Sequence, residues 1–280
     1  MRRFLSYLVL LLLFLSCVER RTALRSQAKV KKYDYIKICP LCDLRYENFI
    51  GYDLLRANLK GAYLFNANFS RALLNEASLE SAVLIFANFD RADLSGANLS
   101  KANLAKASMF GATFRGANMV FAILSDANLE ESELIMANLT AANMPGVNLT
   151  SAYADGVILK SCELKGAVMS TARLRDANLE GAKLEGALLY KADLRRANLS
   201  KASFVSADLR KADISFARLR EANLKGANLR GANLHGTNLK MADFSGADLS
   251  GAVMSSTVEL QTNFCGATMP NGEKGKCLKE

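Results

Sequence analysis

From Leu44 to Met254 an apolar side chain returns at every fifth position, as Leu, Phe, Met or Ile, with Ala154 the exception. Two residues before each of these centres stands Ala, from Ala57 to Ala252, interrupted at Ser132, Val147, Val157, Cys162 and Thr237. An α-helix turns about 100° per residue, so steps of five would advance about 140° each time and spread the leucines over every side. A flat strand would send successive centres to opposite faces. The period suits a closed coil instead: each five-residue unit forms one side, the centre and the Ala two before it point inward, and the other three positions face water. Phe49, Phe69 and Phe89 lie twenty residues apart, as do Phe244 and Phe264, so four units per coil would stack ring over ring. The expectation is a four-sided solenoid of about 11 coils, roughly 50 Å long at about 4.8 Å per coil.

Residue choice agrees with this geometry. Ala leaves room for Leu from neighbouring sides in a narrow lumen, and Asn or Asp before each centre can bond nearby turn backbone. Residues 144 to 163 break the rule in a compensating way: Ala154 is small for its slot, whereas Val147, Val157 and Cys162 are large for theirs, which reads as repacking at conserved volume. Pro145 and Gly146 fall in an outward turn and suggest a local bulge there.

Ala97 to Lys101 reads Ala-Asn-Leu-Ser-Lys and Ala192 to Arg196 reads Ala-Asp-Leu-Arg-Arg, units that resemble the A(D/N)LXX motif of pentapeptide-repeat proteins. The resemblance covers about 230 of the 280 residues. It implies an all-β fold, a right-handed quadrilateral parallel β-helix, over residues 39–270, with residues 17–38 as a basic linker or N-terminal cap and 271–280 as a C-terminal tail. It implies little about function. A solenoid exposes lumen and unpaired edges at its ends, and Val18 to Ile38 and Glu259 to Glu280 are the segments placed to cover them. Cys39 and Cys42 take inward positions in the first coil, and Cys-Pro-Leu-Cys resembles the start of many such arrays; a disulfide or simple burial would each serve. Cys265 and Cys277 flank an ending similar to that of the family, where a bridge would pin the tail.

The N-terminus departs from the repeat. Arg2 and Arg3 precede an apolar run from Phe4 to Leu15, shorter than the roughly 20 residues of a membrane-spanning helix, so residues 1–16 read as a secretory signal peptide. Ser16-Cys17 resembles the end of a bacterial lipoprotein signal, which makes Cys17 the candidate lipidation site and membrane anchor. Phe14 and Leu15 depart from that pattern, leaving ordinary cleavage or an uncleaved anchor as alternatives. Arg20, Arg21, Arg25, Lys29, Lys31 and Lys32 follow at once, and positive charge on that flank resists translocation. The expected location is the bacterial periplasm or outer envelope.

Few residues carry chemistry. A zinc site needs about four ligands about 2.3 Å from one ion, whereas Cys39 and Cys42 would lie at one end of the rod, Cys265 and Cys277 at the other, and Cys162 between. His235 falls between Ser215 and Ser255 in the twenty-residue register, but a convex side offers no oxyanion donors and no orienting carboxylate. Neither catalysis nor a cofactor is expected, and function is assigned to the surface.

The formal net charge of +9 is unevenly spread. Residues 72 to 159 carry four bases against nine acids, and residues 160 to 240 carry sixteen bases against eight acids. Arg195, Arg196, Arg210, Lys211 and Arg230 straddle adjoining sides of the distal half, where an anionic surface would find them; solvated charge is the simpler reading. Tyr63, Phe65, Val83, Ile85 and Phe86 would share one outward side, with Phe121 and Ile123 farther along. Aromatic groups at outward positions are costly unless covered, so this side is the expected contact for an unidentified protein partner. The picture is a scaffold or interaction module of the envelope. Some pentapeptide-repeat proteins mimic DNA and protect a type II topoisomerase, but such mimicry calls for an acidic, duplex-like surface, which a basic chain with a leader does not suggest; DNA itself is the least expected partner. A secreted effector is a third reading.

Overall fold

The computed structural model describes residues 37–277; the apolar run, Cys17 and the basic stretch after it lie outside the described residues. The chain winds as a right-handed, four-sided parallel β-helix. The residue before each centre bridges in parallel to the residue twenty positions on, without interruption from Ile38 with Asn58 to Asp248 with Thr268. Side 1 carries the centres Cys39, Leu59 and Leu79, side 2 Leu44, Leu64 and Leu84, side 3 Phe49, Phe69 and Phe89, and side 4 Leu54, Leu74 and Leu94, each series continuing every twenty residues. Coils are joined by backbone hydrogen bonds, such as Leu54 N to Leu73 O at 2.7 Å and Leu73 N to Tyr52 O at 2.9 Å.

Each corner is a four-residue turn closed from the next Ala back to the centre, as in Ala57 N to Leu54 O at 2.9 Å. The third residue of the turn has positive φ whether or not it is glycine: 56° at Arg56 and 59° at Thr171. That is the type II turn signature, and glycine is its ordinary occupant. Left-handed backbone costs other residues roughly 1 to 2 kcal/mol each, so many corners are held by the coils stacked on either side rather than by local preference. Asn and Asp before the centres help. Lys60 N donates to Asn58 Oδ1 at 3.2 Å and Leu55 N donates to Asp53 Oδ1 at 3.0 Å.

The lumen is apolar and filled. Phe69 stacks on Phe49 at 4.8 Å and on Phe89 at 4.9 Å, and Phe244 on Phe264 at 5.4 Å. Where a hydroxyl replaces the inward Ala it bonds the chain itself, Ser132 Oγ to Leu129 O and Thr237 Oγ1 to Leu234 O, each at 2.7 Å. Val147, Ala154, Val157 and Cys162 are all buried, but the exchange of volumes is incomplete: an apolar void of about 10 Å³ remains beside Ala154, about the room of one water-sized sphere. The bulge expected at Pro145 and Gly146 is absent. Asp126 N donates to Pro145 O and Gly146 N to Lys165 O, both at 3.0 Å, so the register passes through unchanged; proline sits where the ladder needs only its carbonyl.

The two ends differ. At the first coil Cys39 and Cys42 are disulfide-bonded and buried. At the other end the chain turns back on itself: Thr268 pairs antiparallel with Lys274, Met269 N donates to Glu273 O, Gly275 N donates to Ala267 O, and Cys265 is bonded to Cys277. Glu259 continues the five-residue register in the last coil but is exposed; a carboxylate there stays in water because no further coil closes over it.

Candidate interaction surface

Side 2 carries a run of outward apolar groups. Tyr63 and Val83 are bridge partners in adjacent coils, and Tyr46, Phe65 and Phe86 form an edge-to-face ladder with centroids 5.6 and 5.7 Å apart. Tyr63 is 50% exposed and Phe86 46%, while Phe65, Val83 and Ile85 are half-buried by their neighbours. Lys106 lies over the Phe86 ring at 5.7 Å. Farther along, Phe121 and Ile123 are also exposed. Tyr46, the most exposed ring of the ladder, is the member the sequence reading passed over. It takes the same corner as Phe86, forty residues earlier, so the coil register alone was enough to find it.

The register also explains where the acids of the middle coils are. From Tyr63 to Pro145 no charged residue flanks a centre on side 2, whereas Asp90 and Glu130 are on side 3, Asp93, Glu133 and Asp155 on side 4, and Glu131 at the corner between those two. In this stretch the positions flanking the side 2 centres are uncharged, while side 3, which adjoins it, and side 4 opposite carry acids, with Lys106 and Asp126 at the corner between sides 2 and 3.

The distal basic columns carry less free charge than the sequence implies. Arg196 pairs with Asp176, Arg210 with Asp208 and Arg230 with Asp248; of the five named, only Lys211 lacks an ion pair among the described residues. Asp193 is the hub. It accepts from Arg195 Nε at 2.8 Å and Nη2 at 2.7 Å within its own coil, and from Arg175 Nε at 2.5 Å in the coil before. Burial opposes the charge, but these hydrogen bonds prevail and hold the carboxyl down to about 2. A carboxylate depressed in the folded state stabilises above its unfolded value of about 3.9 and loses that contribution as pH falls toward 2. Asp193→Asn is expected to lower stability near neutral pH by about 1 to 2 kcal/mol, less than the full shift because both guanidinium groups are solvated. Urea titrations at pH 7 and pH 2.5 check this: the deficit should shrink in acid.

His235 Nδ1 lies 2.8 Å from Ser255 Oγ, and the His235 ring meets the Phe216 edge at 5.1 Å. Ser215, in the outward column one coil before His235, is buried, and its amide is bonded to Asp213 Oδ1. What remains is an exposed Ser255 beside a half-buried His235 on a convex side. Burial pushes the Cys162 thiol up to about 12, so it stays protonated and donates to Leu139 O at 2.9 Å. Among the described residues no cluster of His, Cys, Asp or Glu is arranged to hold a metal ion, and no helix is long and apolar enough to cross a membrane.

The rod can be compared with known proteins. No curated protein matches the chain. Among solved structures it is similar to HetL, a pentapeptide repeat protein involved in heterocyst differentiation regulation from the cyanobacterium Nostoc sp. strain PCC 7120, at 28% identity over 88% of this chain and 94% of that one, with a TM-score of 0.42. It is similar also to QnrB1, a plasmid-mediated fluoroquinolone resistance protein, at 21% identity over 68% of this chain and 90% of the other, with a TM-score of 0.44. A pentapeptide repeat protein from the Arabidopsis thaliana thylakoid lumen is 37% identical over 39% of this chain and 65% of its own, with a TM-score of 0.15. The profile of pentapeptide repeats matches residues 42–80, 62–100, 87–120, 122–160, 159–189, 187–226 and 217–255. With nearly every coil matched, the chain belongs to the pentapeptide repeat family.

Proposed function

We propose that the chain is a non-enzymatic scaffold of the bacterial cell envelope, exported by residues 1–16, anchored through Cys17, and binding a protein partner along side 2. The observation that carries the reading is the Tyr46, Phe65 and Phe86 ladder, set on a side that has no charged residue flanking a centre from Tyr63 to Pro145. Large aromatic rings are the usual anchors of protein interfaces. The rod supplies rigidity, since every coil is bonded to the next and the patch cannot collapse to hide its rings. The topoisomerase-protecting alternative draws on the acids of sides 3 and 4 in the middle coils, but a net charge of +9 and the distal Arg columns oppose DNA mimicry.

Phe65→Ser combined with Phe86→Ser tests the patch. Both rings point away from the lumen, so the melting temperature should change little, while self-association or partner capture should weaken by about 2 kcal/mol or more. Analytical ultracentrifugation and crosslinking in cells, compared with the parent chain, provide the readout. A folded double variant with unchanged association removes side 2 from consideration.

A further inference from the structure

The first coil is unlike those that follow. Ile38 projects from side 1, Leu41 from the corner between sides 1 and 2, Tyr46 from the corner between sides 2 and 3, Ile50 from side 3 and Leu55 from side 4, and all five are exposed. With Tyr63 one coil on, they form an apolar collar around the whole circumference at one end of the rod. Most charges among them pair within the rod, Lys37 with Asp53, Arg45 with Asp43, Arg56 with Glu76 and Lys60 with Glu80, and Glu47 is half-buried. The opposite end has its folded-back, disulfide-bonded tail.

A protein docked along the rod touches one or two sides. A layer perpendicular to the axis meets all four at once, and aliphatic side chains with tyrosines are what the interfacial zone of a bilayer accepts. The chain that leads into the collar carries Arg20, Arg21, Arg25, Lys29, Lys31 and Lys32 against Glu19 and Asp34, a basic stretch drawn to anionic headgroups. Nineteen residues, Val18 to Ile36, separate Cys17 from the first described residue. An extended segment of that length spans at most about 65 Å, so an anchored chain keeps the collar at high effective concentration beside the membrane.

We propose that the N-terminal end of the rod is seated in the surface of an anionic lipid bilayer through Ile38, Leu41, Tyr46, Ile50, Leu55 and Tyr63. The rod then stands away from the membrane and presents side 2 laterally. This rests on the envelope reading above, deepening it from anchorage to orientation.

The chain contains no tryptophan, so a single introduced one reports its own position. Tyr46→Trp and Leu55→Trp place reporters on different sides of the collar, and Tyr190→Trp places a control in the distal half. The chain, purified in detergent from an exporting bacterial host, is reconstituted with phosphatidylglycerol and phosphatidylcholine vesicles carrying brominated acyl chains, and flotation is measured alongside emission. The expected result is flotation, with both collar reporters shifted to the blue and quenched by more than half and the distal reporter unaffected. Flotation with neither collar reporter quenched overturns the seating and leaves the anchorage standing. Quenching at Tyr46→Trp alone means a rod lying on its side and also overturns it. Blue-shifted collar emission without quenching would show the ring covered by the chain's own N-terminal segment or by a second copy, against the proposal. Absence of flotation defeats the anchorage and the seating together.

Discussion

Leu99→Asp is expected to cost about 4 kcal/mol or more, the largest effect of any single substitution considered. Leu99 is fully buried on side 1, with Leu79 and Met119 at the same position in the coils before and after, and no donor reaches the lumen at that level. A carboxylate there must either remain charged without a partner or bind a proton and stay incompletely bonded. Because coils touch only their neighbours, the damage should begin locally and divide the array. Hydrogen exchange would show protection lost first in the coils around residue 99, and urea denaturation would give an early transition. An unchanged midpoint would mean that the inward register is misplaced.

Gly275→Ala should release the C-terminal cap. A Cβ at this position would lie 2.2 Å from Phe264 O and 2.8 Å from Phe264 Cβ, distances no packed side chain tolerates, and the obstacle is backbone that cannot step aside. The folded-back segment must detach or carry the last coil with it, at about 2 kcal/mol or more by analogy with overpacked cores. Limited proteolysis under non-reducing conditions distinguishes this variant: cleavage should appear between Asn271 and Lys276 while the disulfide between Cys265 and Cys277 still joins the fragments. A tail as resistant as that of the parent chain would show that the close approach is not a constraint.

The solenoid was legible in the chain because one inward residue in five and one Ala two before it leave a single consistent geometry. Phe49, Phe69 and Phe89 even announced the number of sides, since rings twenty residues apart stack only when four units close a coil. The patch on side 2 was legible in part, through the same register. Most of what escaped was set by contacts off that period, although Arg196 and Asp176 pair twenty residues apart. Asp193 meets Arg195 two residues on and Arg175 eighteen back, so columns counted in twenties show bare cations where the structure has ion pairs. The conformation of Arg56 or Thr171 escaped for another reason: neighbouring coils impose a left-handed backbone that their own side chains disfavour. The absence of a bulge at Pro145 follows from the same dominance of the ladder over local preference.

Because every corner turns alike whatever residue occupies it, the rod behaves as a rotary scale. Adding or removing twenty residues would change its length by one coil and leave every surface where it was. A change of five would instead advance everything beyond it by a quarter turn. A single pentapeptide lost between Phe86 and Arg175 would swing the distal Arg columns onto the side adjoining their present one, with the Tyr46, Phe65 and Phe86 ladder left in place. The angle between the apolar patch and the charged columns is thus a countable property of the intervening chain, and insertions in multiples of five offer a way to dial it without touching either surface.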